Sequence, residues 1–177
     1  MAAAATATTW IQDSPFGAIS ITLGPNGITR VELPAVDGDF LAPDGGKRDP
    51  TDKKSRREAG IGRQFDEYFA GQRKAFDVPV DLPDSLSAFQ RTVLTTLQDD
   101  VGYGETVSYG ELAEMAGRPG AARAVGSTMA RNPVPFLIPC HRVVAANGIG
   151  GYGGGAGGGV ELKRALLRLE SGDQSRY

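Results

Sequence analysis

Residues 104–131, GETVSYGELAEMAGRPGAARAVGSTMAR, decide how the second half of the chain folds. Ser108-Tyr109-Gly110-Glu111 has the spacing of a capping box. The Ser108 hydroxyl can accept from the amide three residues on, while the Glu111 carboxylate reaches back to the Ser108 amide. This predicts a short helix over Tyr109–Ala116, stopped by Gly117. Pro119 stands where a new helix begins, and Ala121–Arg131 reads as a second helix with Gly126 as its weak point. Helix, tight glycine turn, helix is a helix-turn-helix pattern, with the second helix as the candidate recognition element. An ordinary helical hairpin would carry the same pattern.

Downstream, Asn132-Pro133 ends that helix, and Pro135 and Pro139 predict an extended, braced approach to Cys140. Gly148–Gly159 carries nine glycines among its residues, interrupted by Ile149, Tyr152 and Ala156. Glycine there admits close approach of backbone to a ligand. The chain closes with Leu162, Leu166 and Leu169 on one face of an amphipathic helix. Upstream, Phe89, Val93, Leu97 and Val101 recur every four residues, which predicts a helix over Ser87–Asp100. The stretch 76–80 alternates as a strand, and Pro79 and Pro83 confine it to an edge. Ile61–Ala70 carries Ile61, Phe65 and Phe69 on one helical face. Residues 37–57, rich in Asp, Gly, Lys, Arg and Pro, predict a surface loop. Residues 14–33 read as a hairpin around the turn Pro25-Asn26-Gly27. The expected division is an N-terminal domain over 1–84 and a C-terminal domain over 85–177.

At 177 residues the chain is long enough to bury a core without a disulfide or metal staple. Apolar residues at 40% and charged residues at 23% argue against disorder along the whole length. No secretory leader and no apolar run of about 18 residues is evident, so a reducing, cytoplasmic setting without a membrane partner is expected. The net charge of −2 argues against a nucleic-acid partner, but the distribution argues for one. From Met115 to Val160 there is no Asp or Glu, while Arg118, Arg123, Arg131 and Arg142 all lie there. A positive face on an acidic body is a polyanion footprint.

Chemistry concentrates at one point. Cys140 is the sole cysteine and His141 the sole histidine. An internal disulfide is therefore excluded, and a zinc site of cysteines and histidines lacks ligands. A free thiol has a pKa near ~8.5 and needs a base or a positive environment to act as a nucleophile. His141 can supply the base. Neighbours in an extended chain point to opposite faces, so a water relay between the two is expected rather than direct contact. A third group, a carboxylate from elsewhere, should orient the imidazole. Arg142 and Arg123 would favour the thiolate. Acyl transfer and alkyl transfer both satisfy this pattern. A thioester hydrolyses and turns over, whereas a thioether does not.

Ile138-Pro139-Cys140-His141-Arg142-Val143 resembles the active-site signature of the O6-alkylguanine-DNA alkyltransferases, the methylated-DNA–protein-cysteine methyltransferases. Further elements match in order: 104–113, Ala122-Arg123-Ala124-Val125-Gly126, Asn132-Pro133, Tyr152-Gly153-Gly154 and the Lys163–Glu170 segment. The match runs from about Leu86 to Gly172. Asp13-Ser14-Pro15-Phe16-Gly17 and 65–76 look like the more variable N-terminal part, and 36–60 matches weakly.

The resemblance implies an α+β chain. An N-terminal α/β domain of RNase H-like character precedes a helical C-terminal domain with the helix-turn-helix and the active-site loop. It implies direct-reversal DNA repair: irreversible, stoichiometric transfer of the alkyl group from O6-alkylguanine in duplex DNA to Cys140, with O4-alkylthymine left open. The recognition helix would enter the minor groove, with Arg123 filling the stack as the damaged base is flipped out. Ala121, Ala122, Gly126, Ser127, Thr128 and Arg131 would complete the DNA face. His141 would take the thiol proton through water, Glu170 would orient His141, and Tyr109 would donate to guanine N3 as charge develops on the leaving base. Asn132 would brace the turn before the active site. Val143 would offer its carbonyl to the exocyclic amine, and Pro135, Tyr152 and Gly153 would line the pocket. No cofactor and no metal is implied; side-by-side self-association on DNA is left open.

Two positions depart from the family pattern. Gly153 stands where some members carry a hydroxyl that could donate to O6, so any such donation here falls to backbone amides. Ser127-Thr128 replaces the smaller residues often seen in the recognition helix. The competing readings are a non-enzymatic sensor of alkylated DNA, against which Cys140 speaks, and a cysteine hydrolase, which has no need of an arginine-bearing helix.

Overall fold

The computed structural model describes residues 7–33, 53–152 and 159–173. The chain divides into two compact units, Met1–Asp81 and Leu82–Tyr177. It is a mixed α/β protein with small sheets and five α-helices among the described residues.

In the first unit, β1 (Thr8–Gln12), β2 (Ile19–Leu23) and β3 (Ile28–Glu32) form an antiparallel sheet in that order. The register sets Trp10 opposite Ile21 and Ile21 opposite Val31, so one buried row crosses all three strands. The sequence pattern predicts only the β2–β3 hairpin. Strand β1, Thr-Thr-Trp-Ile-Gln, carries too little alternation to announce itself and is recruited by pairing. Helix α1 spans Lys53–Phe69. It starts earlier than the apolar face from Ile61 predicts, because the polar segment before that face supplies Lys, Arg, Glu and Ala, good helix formers that outweigh Ser55 and Gly60. The expected loop at 37–57 thus gives way to helix from Lys53, and its residues up to 52 lie outside the described ones. Phe65, Tyr68 and Phe69 are buried in a ring cluster with Phe16 and Phe76. The strand expected at 76–80 is only a single parallel bridge, Ile28 to Val80. Pro79 has no N–H to continue a ladder, but its carbonyl accepts from Ile28 N at 2.9 Å.

In the second unit, α2 (Ala88–Asp100) opens on Ser87 with a complete capping box to Gln90. Val93, Leu94 and Leu97 form its buried face. Strand β4 (Val107–Ser108) runs directly into α3 (Tyr109–Met115). Ser108 caps α3 with both capping-box bonds to Glu111, at 2.8 and 3.1 Å. A turn through Gly117 leads to α4 (Ala122–Met129). Strand β5 (Val143–Val144) pairs in parallel with β4, Val107 opposite Val143 and Ser108 opposite Val144. That pairing brings the start of α3 beside the Cys140 segment. Helix α5 spans Gly159–Ser171. Val93, Leu97, Leu112, Val125, Ile138 and Leu166 are fully buried and form the core of this unit. No described helix is long and apolar enough to cross a membrane.

Candidate active site

Cys140 opens a single 3-10 turn, Cys140–Arg142, rather than ending an extended run. The approach from 132 to 139 is a folded loop. Asn132 closes it from within: its Nδ2 donates to Ile138 O at 2.8 Å and its Oδ1 accepts from Val134 N at 3.1 Å. The loop contains Phe136 at φ 72°, the one non-glycine residue with positive φ among those described. An aromatic side chain in that region stores strain of about 1–3 kcal/mol, held here by burial of the ring. The prolines alone therefore did not dictate an extended path; the asparagine amide bends it. Pro135 is buried in the same loop.

Three successive side chains of the turn are buried: Cys140, His141 and Arg142. His141 is fully enclosed, and its Nε2 lies 2.8 Å from Glu170 Oε1. Arg142 grips the same carboxylate in a fork, Nε to Oε2 at 2.8 Å and Nη2 to Oε1 at 3.0 Å. Its Nη1 donates to Val101 O at 2.7 Å, and its guanidinium carbon lies 5.9 Å from the centre of the Tyr103 ring. Gly104 N donates to Glu170 Oε2 at 3.2 Å. Glu170 thus collects donors from the turn and from the α2–β4 connection.

Burial by itself would raise the Glu170 carboxyl. Hydrogen bonds from His141 and Arg142, together with the Arg142 charge, outweigh it and hold the group well below the usual carboxylate range. Burial pushes His141 down, against the pull of Glu170, so the imidazole is neutral near pH 7 and able to accept a proton. Burial pushes the Cys140 thiol up; the Asn132 and Tyr152 side chains and the Lys163 charge pull the other way. Burial also raises the Tyr109 phenol, with the Cys140 charge adding to it, so Tyr109 keeps its proton at neutral pH.

Tyr109, first residue of α3, directs its hydroxyl to Gly151 O at 3.5 Å. Gly150 (φ 74°) lets the backbone pass close by: a Cβ there would lie 3.2 Å from the Tyr109 ring and hydroxyl. Tyr152 is buried beside Cys140. Gly153 lies outside the described residues. The Val143 carbonyl accepts from Lys163 Nζ at 2.6 Å, and the same ammonium donates to Gly151 O at 2.9 Å. Sequence patterning does not single out Lys163. A lysine in an amphipathic helix reads as solvated, yet this one is fully buried.

On α4, Arg123, Ala124 and Ser127 are exposed, as are Arg118 and Arg131 beyond its ends, while Ala121 and Ala122 are half-buried. Gly126 is half-buried, and a Cβ on it would sit 3.9 Å from the Tyr109 ring. Thr128 departs from the expected DNA face. It is buried, and its hydroxyl donates to Ala124 O at 2.9 Å within its own helix. Arg142 likewise leaves the expected positive surface, since it is buried on Glu170. No group of three or more metal-ligating side chains occurs among the described residues.

Gly104 is the most constrained backbone position around Glu170. It has φ 79°, and a Cβ would come within 3.1 Å of Glu170 O. Gly104→Ala is expected to lower stability by about 1–3 kcal/mol through backbone strain alone. Urea unfolding of wild type and variant measures this, and an unchanged midpoint would contradict it.

The mixed α/β chain sets a buried cysteine next to a histidine whose ring is held by a carboxylate and arginine network, the arrangement of a thiol protein. Residues 88–172 match the family model described as 6-O-methylguanine DNA methyltransferase, DNA binding domain. A methylated-DNA–protein-cysteine methyltransferase from Mycolicibacterium paratuberculosis is 42% identical over 159 residues, 89% of this chain and 88% of that one. One from Methanosarcina acetivorans is 38% identical over 161 residues, 90% of this chain and 96% of its own. The crystal structure of Mycobacterium tuberculosis O6-methylguanine methyltransferase superposes with a TM-score of 0.73 at 35% identity, covering 94% of each chain. The Mycobacterium tuberculosis OGT in complex with DNA gives 0.73 at 38% identity, covering 93% of this chain and 92% of that one. The chain belongs to the methylated-DNA–protein-cysteine methyltransferase family.

Proposed function

We propose that this protein repairs duplex DNA by moving the alkyl group of O6-alkylguanine irreversibly to Cys140. The observation that carries the proposal is the 2.8 Å bond between His141 Nε2 and Glu170, which orients the imidazole beside the cysteine. With Nε2 on the carboxylate, Nδ1 is the nitrogen that takes the thiol proton, through a water because adjacent residues of a 3-10 turn point apart. The thiolate attacks the alkyl carbon, the carbon–O6 bond breaks, and its electron pair leaves with the guanine. The Tyr109 phenol donates to guanine N3 as that charge develops. The product is a thioether on Cys140, so each molecule acts once. The Val143 carbonyl accepts from the exocyclic amine, and Pro135 and Tyr152 bound the pocket.

The unit Leu82–Tyr177 serves as the DNA-binding and alkyl-transfer domain, and the first unit is its RNase H-like α/β companion. Helices α3 and α4 act as a helix-turn-helix in the minor groove. Exposed Arg123 fills the stack on base flipping, and Ser127, Arg131, Ala121, Ala122 and Gly126 border the groove. The setting is the cytoplasm, where a lone thiol stays reduced.

Intact-protein mass after mixing with a duplex containing O6-methylguanine tests the reading. The expected result is a gain of one methyl per protein, mapped to Cys140, with no second turnover. Damage-selective binding without a mass gain would instead favour a sensor, and repeated release of product would favour a hydrolase.

A further inference from the structure

Helix α4 presents one face to solvent. Arg123, Ala124 and Ser127 are exposed on it, and Ala130 and Arg131 continue the face past its end. At about 100° per residue these positions span roughly 120° of the helix, with Ser127 at the centre. Val125, Thr128 and Met129 are buried on the opposite side. The two adjacent hydroxyls differ. Thr128 donates to Ala124 O at 2.9 Å, whereas the Ser127 hydroxyl makes no hydrogen bond among the described residues. A serine within a helix commonly bonds back to the carbonyl four residues earlier. This one is left free, midway between Arg123 and Arg131 in sequence.

The chemistry of that face is one-sided. Arginine donates and has no acceptor, and alanine offers neither. Among the described residues, Ser127 Oγ is the one side-chain acceptor on the face. In a minor groove this distinction has a consequence. A·T pairs expose only acceptors there, whereas G·C adds the guanine N2 amine, a donor. Arginines and methyl groups satisfy the first and leave the amine desolvated without a partner, which is costly.

We propose that Ser127 is a specificity-determining residue for the DNA flanking the lesion: its hydroxyl accepts from the N2 amine of guanine in the minor groove, so that damage in G·C-rich surroundings is handled as well as damage in A·T-rich ones. The role rests on the minor-groove reading of α4 given above. At A·T pairs the groove asks only for donors, which the arginines supply, so the hydroxyl is dispensable there.

Methyl uptake tests this with three duplexes sharing one central O6-methylguanine. The neighbouring base pairs on both sides are G·C in the first, inosine·C in the second and A·T in the third. Inosine is guanine without the N2 amine, and its major-groove edge is unchanged. Wild type, Ser127→Ala and Ser127→Thr are compared at sub-saturating and at saturating duplex. Taking each variant against wild type on the same duplex cancels differences in duplex stability. At sub-saturating concentration Ser127→Ala is expected to slow uptake about threefold to tenfold on the G·C duplex, with little loss on the other two. The saturated rate should be unchanged, because the hydroxyl touches no reacting atom. Ser127→Thr retains the acceptor and should keep the wild-type ratio between the G·C and inosine duplexes. Alanine favours helix, so unfolding does not account for a loss confined to one duplex. An equal loss on all three would put the hydroxyl on the phosphate backbone and overturn the proposal, as would no loss on any. Arg123→Ala is the docking control. If it slows uptake on every duplex while Ser127→Ala slows none, only the role of Ser127 fails. If neither variant changes uptake, the reading of α4 as the groove helix fails with it. Wild type taking up no methyl would fail the alkyl-transfer reading itself.

Discussion

Cys140→Ala is expected to take up no methyl from an O6-methylguanine duplex while binding that duplex with near-wild-type affinity. The loss is complete because the alkyl group needs a soft nucleophile at that point, and the chain has no second cysteine to substitute. Binding survives because the thiol is buried, whereas the cationic surface is carried by Arg118, Arg123 and Arg131, all exposed. If those three side chains each neutralise one phosphate, log Kd should vary with log salt with a slope of magnitude about 3. Stability should change by no more than about 1–2 kcal/mol, since only a sulfur is lost from the packed turn. Intact mass, fluorescence anisotropy against salt, and urea unfolding measure the three parts. Methyl uptake by Cys140→Ala would remove the cysteine from the chemistry. Loss of binding would mean that the turn shapes the DNA face as well as the reaction.

Glu170→Gln should have the second largest effect, and it should strike rate and stability together. The carboxylate accepts from His141, from two nitrogens of Arg142 and from Gly104 N. An amide retains one acceptor oxygen. If its NH2 faces His141 Nε2, the ring proton moves to Nδ1, which can then no longer receive the thiol proton. A wrong tautomer of this kind costs about 10⁴-fold in a Ser-His-Asp hydrolase, and a loss of about 10²- to 10⁴-fold is expected here. Arg142 would keep its charge in a buried site without a counter-ion, a cost of about 3–5 kcal/mol. The pH dependence provides an internal check. Glu170 has a folded-state pKa below its unfolded value, so the unfolded chain binds more protons in the acid range. Its stabilisation is present at neutral pH and is lost as pH falls below the ordinary carboxylate value of about 4.3. His141 is depressed as well, so its contribution declines first, as pH falls through about 6.5. Wild type should therefore lose stability in both windows, and Glu170→Gln should lose most of the lower one. Unfolding midpoints from pH 7.5 to 3.5 measure this. A variant as acid-sensitive as wild type below pH 4.5 would contradict the account.

The parts of the fold legible in sequence are those where local chemistry and tertiary packing agree. Ser108 and Glu111 cap α3 as their spacing requires, because a capping box is closed by residues three apart and needs no distant partner. The four-residue apolar repeat of α2 likewise buries Val93 and Leu97. Helix α5 shows where that legibility ends. Its leucine spacing suggested a face of Leu162, Leu166 and Leu169, yet the buried stripe is Lys163, Leu166, Leu167 and Glu170. Two charged residues rotate inward because the turn and the β5 segment supply partners, and those partners lie 12 to 29 residues away in sequence. Hydrophobicity alone places such residues outside. Thr128 departs in the same direction for a different reason: a polar residue expected on the surface is satisfied by its own helix and turns inward. The position of the cysteine and histidine as neighbours was evident from the chain, but the path leading to them was not. Prolines suggested extension, whereas Asn132 folds the loop by bonding its backbone at both ends.

Helix α5 carries both Lys163 and Glu170, seven residues apart, so about two turns and roughly 10 Å of rigid helix fix one against the other. This makes the segment unequally tolerant of changes in length. Residues added or removed before Gly159 leave the mutual placement of the two charges unchanged. One residue inserted between 164 and 169 would swing one charge by about 100° around the helix axis relative to the other. It would no longer be possible to face Val143 with the first while meeting His141 with the second. Length variation compatible with activity is therefore expected ahead of this helix and excluded within it.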